Sequence, residues 1–173
     1  MESELVEAWR RNCLLNLAML DVLPAEALEG RYAPRTRSVA AQFAHMHSVR
    51  VYHLEAHGRA FLADLRSYPR GAEPSRKEIR AAHLASAEAI AAFLGDCVAK
   101  GAVPGWHGPP ATYLAYFVAH EAHHRGLAMA ALRLSGFKAP DELKWGLWSG
   151  WNAERAPSPA LSPRSPRKPR PKR

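Results

Sequence analysis

With 173 residues the chain is long enough for one domain with a buried core, and its 47% apolar content is ordinary for a globular protein. The formal charge of +8 does not argue for a nucleic-acid-binding fold. Six of the 24 basic residues (Arg164, Arg167, Lys168, Arg170, Lys172 and Arg173) crowd the last 18 positions, and the rest carries 18 basic against 16 acidic side chains.

The amino-terminal MESELVEAWRRN has no basic region leading into an apolar run, so no signal peptide is expected. No apolar segment approaches about 18–20 residues, so no membrane contact is expected. The default compartment is the cytoplasm. Cys13 and Cys97 are not in CxxC spacing and read as small apolar residues on helices rather than as a disulfide.

In chain order, Leu5, Val6, Trp9, Cys13, Leu17 and Leu20 line one side of a first helix, with Ser3 as its N-cap. Pro24 ends it, and Ala25–Glu29 has room for one helical turn. A second helix starts near Thr36 or Ser38 and is expected to run to about Ala63, across Gly58; it carries His45, His47, His53 and His57. Ser75 and Glu78 form a capping-box pattern ahead of a third helix lined by Ile79, Ala82, Ile90, Phe93, Leu94 and Cys97. Lys100-Gly101 ends that helix with a glycine C-cap. The fourth helix enters at Pro109-Pro110 and runs to Leu134, stopping at Ser135-Gly136. Beyond it, Trp145, Trp148 and Trp151 recur at three-residue spacing and are expected to close one end of the core or a subunit interface. From Ala156 the composition turns to proline, arginine and lysine, so residues 156–173 are expected to be a disordered tail that contacts nucleic acid weakly at most. The chain is thus expected to be all-α: an antiparallel four-helix bundle over residues 1–155, followed by a tail.

The chemistry concentrates in the fourth helix, at HEAHHRG. His120 and His124 are one turn apart and can reach a single ion. On a helical wheel centred on His120, the residues His124, Phe117, Tyr113, Tyr116, Leu127, Ala131 and Leu134 share its side, while Glu121 and Arg125 fall further away. Two imidazoles on one apolar face need partners for their nitrogens, and a shared metal satisfies both. The run also matches the metalloprotease pattern HExxH, but that chemistry comes with a third ligand and usually a sheet, and no strand is visible. On the second helix His45 and His47 point about 160° apart, and periodicity does not say which faces the core. His83 reads as a core histidine, and His53, His57 and His107 as exposed or half-buried.

SVAAQFAHMHSVRVYHL on the second helix together with VAHEAHHRGLAMAALRLSG on the fourth resembles the DinB-like (YfiT-like) metalloproteins over roughly residues 4–152. Phe43-Ala44-His45-Met46 fits the family's helix-two histidine, and His120, His123, His124, Arg125 and Gly126 fit its helix-four motif. The resemblance implies His45, His120 and His124 around one divalent ion, with water at the open positions. Zinc or nickel heads the candidates; iron and copper are also accepted by imidazole. It also implies a metal-dependent enzyme of thiol-transferase or hydrolase type acting on a small molecule, including a low-molecular-weight thiol, or else a non-catalytic, metal-binding, stress-related protein. In either case a homodimer is expected. Glu121, His123, Tyr52 and Tyr113 are the candidates to stand behind the ligands. A carboxylate close to the metal would favour hydrolysis, and a basic mouth an anionic thiol.

Overall fold

The computed structural model describes residues 3–141 together with Leu143, Trp148 and Trp151. Among the described residues four long helices make up the bundle: α1 (Glu4–Val22), α2 (Val39–His57), α3 (Arg76–Lys100) and α4 (Pro110–Leu134). Short 3-10 turns follow α1 at Ala25–Glu29 and α2 at Arg59–Phe61. There is no strand among the described residues.

The caps act where the sequence placed them. Ser3 accepts from the Val6 amide and Ser38 from that of Ala41. Ser75 and Glu78 bond reciprocally, which satisfies two amides that the first turn of α3 leaves free. Gly101 ends α3 at φ 68°, a left-handed conformation that costs a residue with a Cβ more than glycine. α2 stops sooner than expected. Gly58 caps it, its N–H donating to the Leu54 carbonyl. The backbone there lies against the Phe93 ring, where an added Cβ would come within 2.7 Å. The glycine expected inside a longer helix instead provides the close approach of α2 to α3.

Side-chain contacts give the directions of the helices. Trp9 meets Ala87 and Asp21 meets Arg80, so α1 and α3 are antiparallel. Gln42 meets His124 and His53 meets Phe117, so α2 and α4 are antiparallel as well. The Phe43–His83 and Gly58–Phe93 contacts show α2 and α3 running the same way. So do α1 and α4, through Trp9–Phe117 and Asn16–Glu121. The segment 58–75 makes the parallel step possible: at about 3.3 Å per extended residue it can travel back along a helix of roughly 28 Å.

The core has two apolar parts. One gathers Val6, Trp9, Leu54, Ile90, Phe93, Leu94, Tyr113 and Phe117. The other gathers Met19, Leu20, Phe43, Met46, Ile79, Ala128, Ala131 and Leu132. Between them in the order of every helix lie buried polar residues: Asn12 and Asn16, Arg50, His83 and Ser86, then Glu121, His124 and Arg125. Cys13 and Cys97 are free and buried, and burial pushes both thiols up, that of Cys97 to about 11.

Two expectations need correction. α3 is long and apolar enough to cross a membrane by length and composition, because its alanines raise its hydropathy. In the bundle it behaves as a core helix, burying Ile79, Ile90, Phe93, Leu94 and Cys97. Of the two places expected for the tryptophans, the core and a subunit interface, Trp148 and Trp151 do not take the first: they are 73% and 39% exposed. Trp145 and the tail 156–173 lie outside the described residues.

Candidate metal centre

α2 and α4 bring His45, His120 and His124 together. One ring nitrogen from each lies within 4.8 Å of the others, a grouping that could hold a metal ion. His124 is buried and the other two are half-buried. The Nε2 atoms of His120 and His124 are 3.1 Å apart. Two imidazole nitrogens bound to one tetrahedral ion at roughly 2.0–2.1 Å stand about 3.3 Å from each other, so the pair needs little adjustment to share one. The His45 ring completes the cluster at centroid distances of 4.6 Å from His124 and 5.4 Å from His120. His47 points elsewhere. Its Nε2 donates to the Arg66 carbonyl at 2.9 Å and its ring packs on Tyr68, which fastens the 58–75 segment to α2.

The histidines are held in the form that ligates. Burial lowers His45 to about 4, with the Arg37 and His120 charges adding to it. Burial lowers His124 to about 3, helped by His120 and His45. His120 is lowered for the same first reason. All three are therefore neutral at pH 7, with lone pairs to offer.

The stripe that α4 buries is centred nearer Glu121 than His120. Glu121 is fully buried, Arg125 is 8% exposed, and Tyr116 and Leu134 face outward. The wheel centred on His120 set Glu121 and Arg125 further away because it took that histidine as the middle of the buried stripe. Here the charges are partnered. Glu121 Oε1 accepts from Arg50 Nε at 2.7 Å, and its Oε2 from Asn12 Nδ2 at 2.6 Å and Asn16 Nδ2 at 2.7 Å. The two Asn side-chain oxygens accept from Arg125 at 3.0 and 2.7 Å. Arg50 donates further to the His83 carbonyl and to Ser86, and stacks 4.8 Å from the Trp9 ring. Burial alone would raise the Glu121 carboxyl, but the Arg50 guanidinium holds it below the usual range.

Of the other candidates, His123 is exposed, its ring 5.0 Å from that of His124. Tyr52 is 49% exposed, and Tyr113 is buried among Phe93, Trp106 and Phe117. Three groups at the site were not anticipated. Gln42 accepts from His124, Tyr116 stacks on His120 at 5.9 Å and 14°, and Arg37 acts electrostatically on all three histidines. Gln42 had a signal: a polar side chain inside the apolar run VAAQFAHM, one turn before His45. So did Asn12 and Asn16, which interrupt the apolar line of α1 one turn apart.

A model described as the DinB family matches residues 1–145. The chain belongs to the DinB family. The match spans all four helices of this DinB chain and includes the three histidines, and it stops short of the residue-152 limit of the resemblance. No curated protein and no solved structure matches the chain.

His83 lies outside this centre and records burial in its own way. Its Nε2 donates to the Phe43 carbonyl at 2.9 Å, its Nδ1 is buried without a partner, and burial lowers it to about 3. A histidine lowered in the folded state is stabilising above its unfolded pKa of about 6.5, and that contribution is lost as pH falls towards the folded value. Urea unfolding of the metal-free protein should therefore show stability falling from about pH 6.5 towards pH 4. His83→Gln, which keeps a donor but cannot titrate, should reduce the slope by up to about 1.4 kcal/mol per pH unit. An unchanged slope in that variant would refute the assignment.

Proposed function

We propose that this DinB-family protein is a divalent-metal-dependent enzyme acting on a small molecule, with His45, His120 and His124 as ligands and zinc or nickel as the metal. The convergence of three neutral imidazoles from α2 and α4 carries this reading. Three histidines with open positions make the donor set of a catalytic rather than a structural zinc site. When bound, such an ion supplies Lewis acidity and can activate a water or a thiol.

Between the two reaction types, the chain's own groups favour thiol transfer. A hydrolase of the HExxH kind needs a carboxylate free to take a proton, and both oxygens of Glu121 are engaged by Arg50, Asn12 and Asn16. Arg37, exposed beside the histidines, makes the mouth basic and suits an anionic low-molecular-weight thiol. The test is metal analysis of the purified protein followed by turnover of a thiol with an electrophile. Stoichiometric zinc or nickel is expected, with turnover lost in His124→Ala while the helical fold persists. Protein that carries no stoichiometric metal and binds none would remove the reading.

A second reading, a non-catalytic metal-binding dimer, draws on Leu134, Trp148 and Trp151, which are 69%, 73% and 39% exposed. It requires a dimer by light scattering and no turnover. A monomer that turns over thiol substrate counts against it.

A further inference from the structure

The three histidines are not held alike. His124 Nδ1 lies 2.7 Å from Oε1 of Gln42, and both side chains are buried, Gln42 to 1% exposure and His124 to 4%. His120 Nδ1 is buried with no hydrogen-bond partner, and its ring is located by stacking on Tyr116. Stacking sets the plane of a ring and leaves its tautomer open. A hydrogen bond to one nitrogen sets both.

We infer that Gln42 is the positioning residue of His124: its amide oxygen keeps the proton on Nδ1, so that the Nε2 lone pair faces His120 and His45. This rests on the metal-centre reading above. A neutral imidazole has one N–H and one lone pair, and an acceptor at Nδ1 assigns the N–H to that side. The nitrogen left bare is the one 3.1 Å from His120 Nε2, where an ion shared by the two would sit. The geometry also explains why α2 carries a glutamine inside an apolar run. Gln42 and His45 are three residues apart on one helical face, so α2 supplies both a ligand and the group that aims a ligand of α4. Partners of this kind at the far nitrogen of a ligating histidine fix ring orientation, and their loss typically costs 10–100-fold in metal affinity.

The opposite amide orientation makes a different prediction. Were the Gln42 nitrogen turned inward, it would donate to Nδ1 and leave the proton on Nε2, where it would block ligation. Gln42→Glu separates the two, because a carboxylate only accepts.

The experiment uses the full chain as wild type, Gln42→Leu and Gln42→Glu. The His124 tautomer is read in metal-free protein from long-range 15N–1H correlations, and zinc affinity from competition with a chromophoric chelator. Wild type should show Nδ1–H at His124. Gln42→Leu should lose that tautomer preference and bind zinc about 10–100-fold more weakly. Gln42→Glu should keep the tautomer and bind within a few-fold of wild type or more tightly. The inference is overturned by an Nε2–H tautomer in wild type, by Gln42→Leu binding zinc as wild type does, or by Gln42→Glu losing as much as Gln42→Leu. If Gln42→Leu does not fold, the wild-type tautomer and the Gln42→Glu affinity decide the matter. If wild type binds neither zinc nor nickel, the metal-centre reading fails, while the tautomer comparison still upholds or overturns the role of Gln42.

Discussion

Glu121→Gln is expected to cost roughly 3–5 kcal/mol of stability, against a total of about 5–15 kcal/mol for a domain of ordinary stability. The substitution preserves shape and removes one charge. Its oxygen can still accept from Arg50, but its nitrogen would then face the Asn12 and Asn16 amides, which now donate to Glu121 at 2.6 and 2.7 Å. Donor would meet donor. Arg50, with no exposure at all, would be left as a buried cation without its counter-charge, and Arg125 would stand on the same layer. Breaking a buried pair from one side is far more costly than replacing both partners. Arg50→Met combined with Glu121→Met should therefore lose less than Glu121→Gln alone. Urea unfolding monitored by circular dichroism would measure both. A loss below about 1 kcal/mol for Glu121→Gln would mean that the carboxylate does not hold the layer together.

His124→Ala is expected to weaken zinc binding by more than about 100-fold, beyond the loss typical of an outer-shell partner. It removes the histidine at the middle of the cluster, with its Nε2 3.1 Å from that of His120 and its ring 4.6 Å from that of His45. The fold should persist, because the variant leaves the Gln42 oxygen without its partner, at a cost of about 1–3 kcal/mol, and the other atom that loses one, His120 Nε2, is on a half-buried ring. His45→Ala should lose affinity in the same way and His47→Ala should not, since His47 bonds to the Arg66 carbonyl. Chelator competition on the three variants checks this together. Zinc affinity that falls in His47→Ala and survives in His45→Ala would reverse the assignment of the helix-two ligand.

Much of the bundle was legible because its signals are local. The serines that cap α1, α2 and α3, the Glu78 capping box, Gly101 and the Pro109-Pro110 entry act over three or four residues, and each element began or ended where they stand. The early end of α2 was not local. Gly58 is permissive in sequence and becomes an end only because Phe93, 35 positions later, packs on its backbone. The pairing of α2 with α3 in the same direction depends likewise on the path of residues 58–75, which spacing within each helix does not constrain.

The same division runs through the centre. One-turn spacing put His120 and His124 together, because two residues on one helix share a frame that the sequence by itself determines. Which of His45 and His47 joins them depends on the rotation of α2 against α4, and there the resemblance to a family did what periodicity could not. Glu121 and Arg125 fell off the apolar side because the wheel was centred on His120, and a charge is buried only with partners. Their burial rests on Arg50, Asn12 and Asn16 arriving from two other helices, at sequence separations of 71 to 113 residues. Sequence alone determined the helices, their caps and the i, i+4 histidine pair, since those follow from neighbours along the chain. Only the tertiary structure decided which polar groups meet in the middle of the bundle, since a buried charge is tolerated through partners that no single helix contains.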